Sequence, residues 1–299
     1  MKCSGVSPYS VCGVCTACRV NYASSWAVRG SHERQLHDYA CSITLTYSND
    51  HVPWSGLQKK HLQDFFKRFR QQLVRDSKKG VKRASYNFRY MACGEYGDLQ
   101  GRRDSGHPHY HAVLFGFDFL DKYKWRKGKL GHQLYRSPFL EELWPFGNCE
   151  IGGAEDEMIN YVSSYILKKV NGDLAKTHYA ASITCAEQGN VFNFLRSPEF
   201  FLSSRRPAIA LKFLEQYWDD MFSRDELVLA GKVRPIPAYY LNKLRDRSEI
   251  FYRMIKRDRA FDKVDRQTRV WTTDRRDLTE VKRAIKVNNE ARMGLYSKL

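Results

Sequence analysis

The chain has 299 residues, 42% of them hydrophobic, enough for one sizeable core with appendages or for two modest domains. No apolar run is long enough to span a bilayer, and MKCSGVSPYS carries no signal-peptide core, which argues against membrane-embedded and exported classes. Fifty Lys+Arg against 33 Asp+Glu leave a net charge of +17, and 18 Tyr are on hand, a balance that suits single-stranded nucleic acid rather than a neutral partner.

The elements follow in chain order. CSGVSPYSVCGVCTAC places Cys3, Cys12, Cys15 and Cys18 at the spacing of tight turns that gather thiolates around a structural Zn²⁺, with an iron–sulfur cluster as the second choice. CSITLTYS (41–48) is β-branched and aromatic and reads as a strand. Ser55 with Gln58 fits a capping box for a helix over 57–75, whose apolar stripe is Leu62, Phe65, Phe66, Phe69 and Leu73. Lys59 and Lys60 decorate its remaining surface. ASYNFRYMACGE (84–95) and HYHAVLFGF (109–117) read as two antiparallel strands joined by a turn rich in Gly and Arg, which includes Arg102 and Arg103. A short helix from Pro138, a strand in GNCEIGG and a helix over 154–170 come next. Beyond 196 a loop with Arg205 and Arg206 leads to an amphipathic helix, and GKVRPIPAYY reads as a proline-punctuated linker. Residues 241–299, with 17 Lys+Arg against 9 Asp+Glu, read as a basic helical tail. The order predicts an α+β fold, a central antiparallel sheet of about five strands flanked by helices. The divisions are 1–30 for a Cys-rich zinc knuckle, 31–245 for the main domain and 246–299 for the tail.

The chemistry concentrates in two places. His109 and His111 are i,i+2 on a strand, side by side and about 6.6 Å apart at Cα, and can converge on one cation. If the hairpin pairs about residue 102, Glu95 lies opposite His109 on the same face and completes a two-histidine, one-carboxylate set suited to an octahedral ion with open positions. His107 has the same parity and is the rival third ligand. On the later helix, Tyr161 and Tyr165 are i,i+4 neighbours, and Lys168 and Lys169 continue that face, while Ile159, Val162, Ile166 and Val170 form a separate anchoring stripe.

The H-hydrophobic-H strand followed by a helical Y-x-x-x-Y resembles the HUH endonuclease superfamily, specifically its two-tyrosine rolling-circle initiators. VCGVCTACR, TLTY, CGEYG, PHYHAVLFG, YVSSYILKK, SRRP and GKVRPIPAYY, in order from residue 3 to 245, further resemble the replication initiators of the gokushovirus branch of the Microviridae. His107 stands where that family favours arginine, Ser164 where lysine is common, and SRRPAIA has alanines in place of glycines.

The resemblance implies an endonuclease that nicks single-stranded DNA at a phage replication origin. Mg²⁺ or Mn²⁺ held by His109, His111 and Glu95 would orient the scissile phosphate. A tyrosine hydroxyl would attack it, leaving a 5′-phosphotyrosine and a free 3′-OH for host replication proteins to extend, with Lys168 and Lys169 steadying the phosphate or phenolate. Rejoining needs no ATP because the tyrosyl ester keeps the phosphodiester energy. Lys59, Lys60, Arg102, Arg103, Arg205 and Arg206 are the candidate DNA contacts, and the expected location is the cytoplasm of a bacterial host. The alternatives are a non-catalytic zinc-containing nucleic-acid-binding module, a metallohydrolase using water, and a relaxase or transposase of the same superfamily.

Overall fold

A computed structural model describes residues 12–13, 15–97, 106–128, 131–184, 191–223, 225–229 and 231–268. Cys3, Arg102, Arg103 and the last part of the tail lie outside the described residues. The chain divides into two compact units, residues 1–215 and 216–299.

The first unit opens with α1 (Thr16–Arg34), a helix that the cysteine spacing does not announce. β1 (Ala40–Tyr47) follows, then α2 (Lys59–Lys79), which ends at Gly80 in the left-handed region that its φ of 70° requires. α2 starts two residues later than the capping-box reading expects. The reason is local: the Gln58 amide donates to Ser55 Oγ at 2.7 Å, so the pair close on each other ahead of the helix. β2 (Arg89–Tyr96) and β3 (Pro108–Phe115) form the expected antiparallel pair, with Glu95 opposite His109. β4 (Tyr123–Lys127) and β5 (Gln133–Arg136) make a hairpin, and Ser137 caps α3 (Pro138–Leu143) by accepting from the Leu140 N–H at 3.2 Å. β6 (Gly147–Gly152) leads into α4 (Asp156–Ser164), which tightens into a 3₁₀ turn at Tyr165–Leu167. The remaining elements of this unit are α5 (Leu174–His178), β7 (Ala180–Thr184), β8 (Val191–Leu195), β9 (Phe200–Ser203) and α6 (Leu211–Gln216).

The main sheet has seven strands in the order β4-β5-β6-β1-β3-β2-β9, two more than the sequence suggests, and every neighbouring pair is antiparallel. Strand alternation sorts the side chains. Ile43, Leu45, Ala92, Tyr110, Ala112 and Leu114 face the α2 stripe, where Leu62, Phe65, Phe66, Phe69 and Leu73 are each at most 2% exposed. Burying each such ring or leucine contributes about 1.5–3 kcal/mol. The other face meets α1 and α4: Gly30 of α1 lies so near Ile159 of α4 and Met91 of β2 that a Cβ there would come within 2.5 Å and 2.9 Å of them. The sheet is therefore covered on both faces, and the histidines belong to the α1–α4 side.

The second unit contains α7 (Trp218–Ser223), the hairpin of β10 (Glu226–Leu229) and β11 (Lys232–Pro235), α8 (Ala238–Arg247) and α9 (Glu249–Thr268). The segment expected to be a linker is thus a strand and a helix start. Val233 and Arg234 pair across the hairpin, and Pro237 serves as the N-cap residue of α8, where its missing N–H costs nothing. Arg259 holds Asp225 with two hydrogen bonds of 2.6 Å. Among the described residues, no helix is long and apolar enough to cross a membrane.

Candidate active site

Glu95 sits at the end of β2 and is only 2% exposed. Its Oε1 lies 3.0 Å from His109 Nε2 and 2.9 Å from His111 Nε2. The far nitrogens are fixed as well: His109 Nδ1 is 3.0 Å from the His107 carbonyl, and His111 Nδ1 is 3.1 Å from Thr44 Oγ1 on the neighbouring β1. The carbonyl can only accept, so His109 carries its proton on Nδ1 and turns a lone pair toward Glu95. A lone pair facing a carboxylate oxygen at that distance calls for a positive charge between them. Cis ligands of an octahedral ion bound at about 2.1 Å stand about 3.0 Å apart, which is the spacing found. Glu95, His109 and His111 thus fit a divalent cation, with the carbonyl and hydroxyl behind the two rings leaving Nε2 free to bind it.

His107, the rival ligand, turns away and donates from Nε2 to the Tyr47 carbonyl at 2.9 Å. Burial pulls the His111 pKa below its ordinary value, against the raising pull of Glu95, and so favours the neutral imidazole a metal needs. Burial by itself would raise the Glu95 pKa. The bonds from His109, His111, Lys168 and Tyr165 outweigh it and hold the carboxyl far below the usual range.

The tyrosines come to the same place. The Tyr161 ring meets His111 edge-on at 5.3 Å, and the Tyr165 ring stacks on His111 at 5.5 Å, with 4.7 Å between the two tyrosines. Tyr161 is 44% exposed and Tyr165 only 4%. Burial, then bonds to Glu95 and Tyr161, push the Tyr165 phenol far above its ordinary pKa; burial raises that of Tyr161 as well. Lys168 Nζ bonds Glu95 Oε2 at 2.7 Å and lies 4.7 Å from the Tyr165 ring centroid.

Lys169 is exposed, and the described contact it makes is through its carbonyl, which accepts from Arg19 at 2.5 Å. The helix expected to run to 170 leaves α-geometry after Ser164, whose Oγ donates back to the Tyr161 carbonyl at 2.7 Å. The tightened turn brings Lys168 to the carboxylate and leaves Lys169 in solvent. Ile159 and Val162 are fully buried as the anchoring stripe requires, whereas Ile166 is half-buried.

Cys12, Cys15 and Cys18 gather their sulfurs within 4.8 Å of one another at the start of α1, and the Cys15 N–H points at Cys12 Sγ at 3.2 Å. Thiolates so arranged fit a soft or borderline cation. Lys59 and Lys60 are exposed on α2, where Lys60 pairs with Asp64, and Arg205 and Arg206 are exposed in the turn after β9. Two participants escape the sequence reading. Thr44 is visible only once β1 is known to pair with β3, which sets it opposite His111. Arg19, bonded to carbonyls 147–150 residues away, leaves no local signal.

Residues 40–170 match the family of the replication-associated protein ORF2. The chain is 34% identical over 230 residues to the replication-associated protein VP4 of Bdellovibrio phage phiMH2K, covering 77% of this chain and 65% of that protein. It is 26% identical over 256 residues to the replication-associated protein ORF4 of Chlamydia phage 1, covering 84% and 55%. To the replication-associated protein ORF2 of Spiroplasma virus 4 it is 25% identical over 252 residues, covering 81% and 69%. The chain therefore spans less than two thirds of the length of the first two relatives. No solved structure matches. With Glu95, His109, His111, Tyr161 and Tyr165 all inside the matched segment, the chain belongs to the replication-associated protein family of ORF2 type found in small phages.

Proposed function

We propose that the protein is a metal-dependent HUH endonuclease that nicks single-stranded DNA at a phage replication origin and rejoins the ends after rolling-circle synthesis. The observation that carries this reading is the packing of both tyrosine rings against His111, within the Glu95–His109–His111 cluster. A Mg²⁺ or Mn²⁺ ion held by these three residues would polarise a phosphate oxygen and offset its charge.

The chain's own groups then divide the work. Tyr161, the more exposed phenol, is the first nucleophile: its oxygen bonds to phosphorus, the P–O3′ bond breaks, and the departing O3′ takes up a proton to become the primer hydroxyl. Lys168 is placed to balance charge on the phenolate or phosphate. Tyr165, held against Glu95, serves the second strand in the joining step. Single-stranded origin DNA and host replication proteins are the proposed partners, in the cytoplasm of a bacterial host. Cys12, Cys15 and Cys18, with Cys3, are assigned a structural Zn²⁺ in a knuckle over 1–30; residues 31–245 carry the nuclease and 246–299 a basic tail.

Incubating the protein with labelled single-stranded origin DNA and Mn²⁺ tests the reading. Denaturant-resistant protein–DNA adducts are expected, absent from Tyr161→Phe/Tyr165→Phe. In Tyr161→Phe alone the first adduct disappears, while Tyr165→Phe forms it but fails to rejoin. Cleavage without an adduct would indicate hydrolysis by water, and binding with neither would indicate a non-catalytic module. Zinc content that is unchanged in Cys12→Ser/Cys15→Ser would remove the knuckle assignment.

A further inference from the structure

α1 lies along the tyrosine-bearing helix and is tied to it at both ends. At one end Ser31 Oγ bonds Asp156 Oδ1 at 2.5 Å, in the first turn of α4. At the other the Arg19 guanidinium donates to the carbonyls of Ile166, Leu167 and Lys169, at 3.3 Å for Ile166 and 2.5 Å for Lys169. The two helices are therefore antiparallel. Between the ties, Gly30 packs so closely on Ile159 that no side chain fits between them. The carbonyls that Arg19 takes are the orphan acceptors at the C-terminal end of the turn that presents Tyr165 and Lys168. A cation is favoured there by the helix dipole, and a guanidinium can hold several carbonyls at once.

Arg19 also follows Cys18 directly, and its own N–H closes the first turn of α1 on the Cys15 carbonyl at 3.0 Å. The residues that place Arg19 are thus the residues that carry the thiol cluster.

We propose that Arg19 is a positioning residue that clamps Tyr161, Tyr165 and Lys168 against Glu95, and that cation uptake by Cys12, Cys15 and Cys18 governs this clamp by ordering the turn from which Arg19 projects. The thiol site then regulates the nicking site without touching DNA. This inference rests on the nuclease reading for its consequence, though not for its geometry.

Amide hydrogen exchange over residues 161–170 of the full chain, with and without Zn²⁺ at the thiols, reads the clamp independently of activity. Arg19→Ala is expected to speed exchange in this segment by about tenfold or more, and Arg19→Lys by less, because one ammonium replaces a fork. Removing Zn²⁺ with a chelator should speed it in the wild type and add little in Arg19→Ala, since the two act on one linkage. In adduct formation, Arg19→Ala should lower kcat by about ten- to a hundredfold while KM for the oligonucleotide stays within about twofold, and millimolar guanidinium should restore part of kcat. Native exchange and native kcat in Arg19→Ala would overturn the clamp. Equal acceleration by the chelator in both proteins would overturn its control by the thiols. Should Arg19→Ala fail to fold, Arg19→Lys carries the same comparison. A wild type that forms no adduct sinks the nuclease reading, while the exchange arms still decide the clamp.

Discussion

Glu95 is asked to balance four partners at once: two imidazoles, the Lys168 ammonium and the Tyr165 hydroxyl. A buried carboxylate survives in the charged form only with such company. Replacing it with Gln keeps the volume and removes the charge, and Mn²⁺ binding measured by calorimetry is expected to disappear. Thr44 tests the support behind the ligands. Thr44→Val removes the hydroxyl beside His111 Nδ1 and should weaken Mn²⁺ binding by about 10–100-fold without unfolding the sheet; unaltered affinity would mean that the ring is oriented by packing alone. Cys93, opposite His111 and fully buried, has its thiol pushed well up by burial and stays inert between the ligand strands.

α1 and α4 form one mechanical piece, and their contact is tight enough to be probed by a single methyl group. In an exposed helix Gly→Ala gains about 1 kcal/mol. At Gly30 the new Cβ would meet Ile159 and Met91 well inside contact distance, and overpacking of this kind costs about 1–3 kcal/mol. Gly30→Ala is therefore expected to lower the melting temperature; a rise would show that the two helices can part freely.

The C-terminal end of α1 also makes the fold sensitive to acid. His32 is buried against Phe213, ring centroids 4.1 Å apart, and burial lowers its pKa to about 4, against the raising pull of Asp156. The unfolded chain, with histidine near 6.5, binds a proton that the folded chain refuses. Stability from this residue is complete above pH 6.5 and is lost as pH falls toward 4, by up to about 3 kcal/mol. Glu33 adds to the loss lower down. Burial would raise its pKa, but His37, the Ala210 N–H and Arg89 bring it below 4.5, so its contribution fades only below that value. Melting curves from pH 8 to pH 4 should show the decline, and His32→Phe should flatten its upper part.

For the molecule as a whole, a net charge of +17 sets how it meets a polyanion. Each phosphate neutralised on a single strand contributes about −0.7 to the slope of log K against log salt. Engagement of about five phosphates predicts a slope near −3.5 for an origin oligonucleotide. A slope close to zero would leave the lysines and arginines of α2 and the β9 turn without a role in binding. The exposed rings of Trp54, Tyr123 and Trp125 add stacking surfaces that salt does not weaken.

The metal cluster was legible because it depends on short-range rules. Strand alternation assigns Glu95, His109 and His111 to one face, and a hairpin joining strands so near in sequence leaves little freedom of register, so the carboxylate could be found by counting. The α2 stripe was legible for the same reason, from a period of 3.6. The extra strands β4, β5 and β9, the true start of α2 and the fold of the supposed linker were less so, because each depends on neighbours that local periodicity does not name. Three features came from packing alone: Thr44 beside His111, Lys168 in place of Lys169, and Arg19 across the turn. They join segments tens to more than a hundred residues apart, and a one-residue change in helix winding decides which lysine faces the carboxylate. Periodicity tells a chain which side of an element to bury; which distant element it is buried against is settled only when the whole core closes.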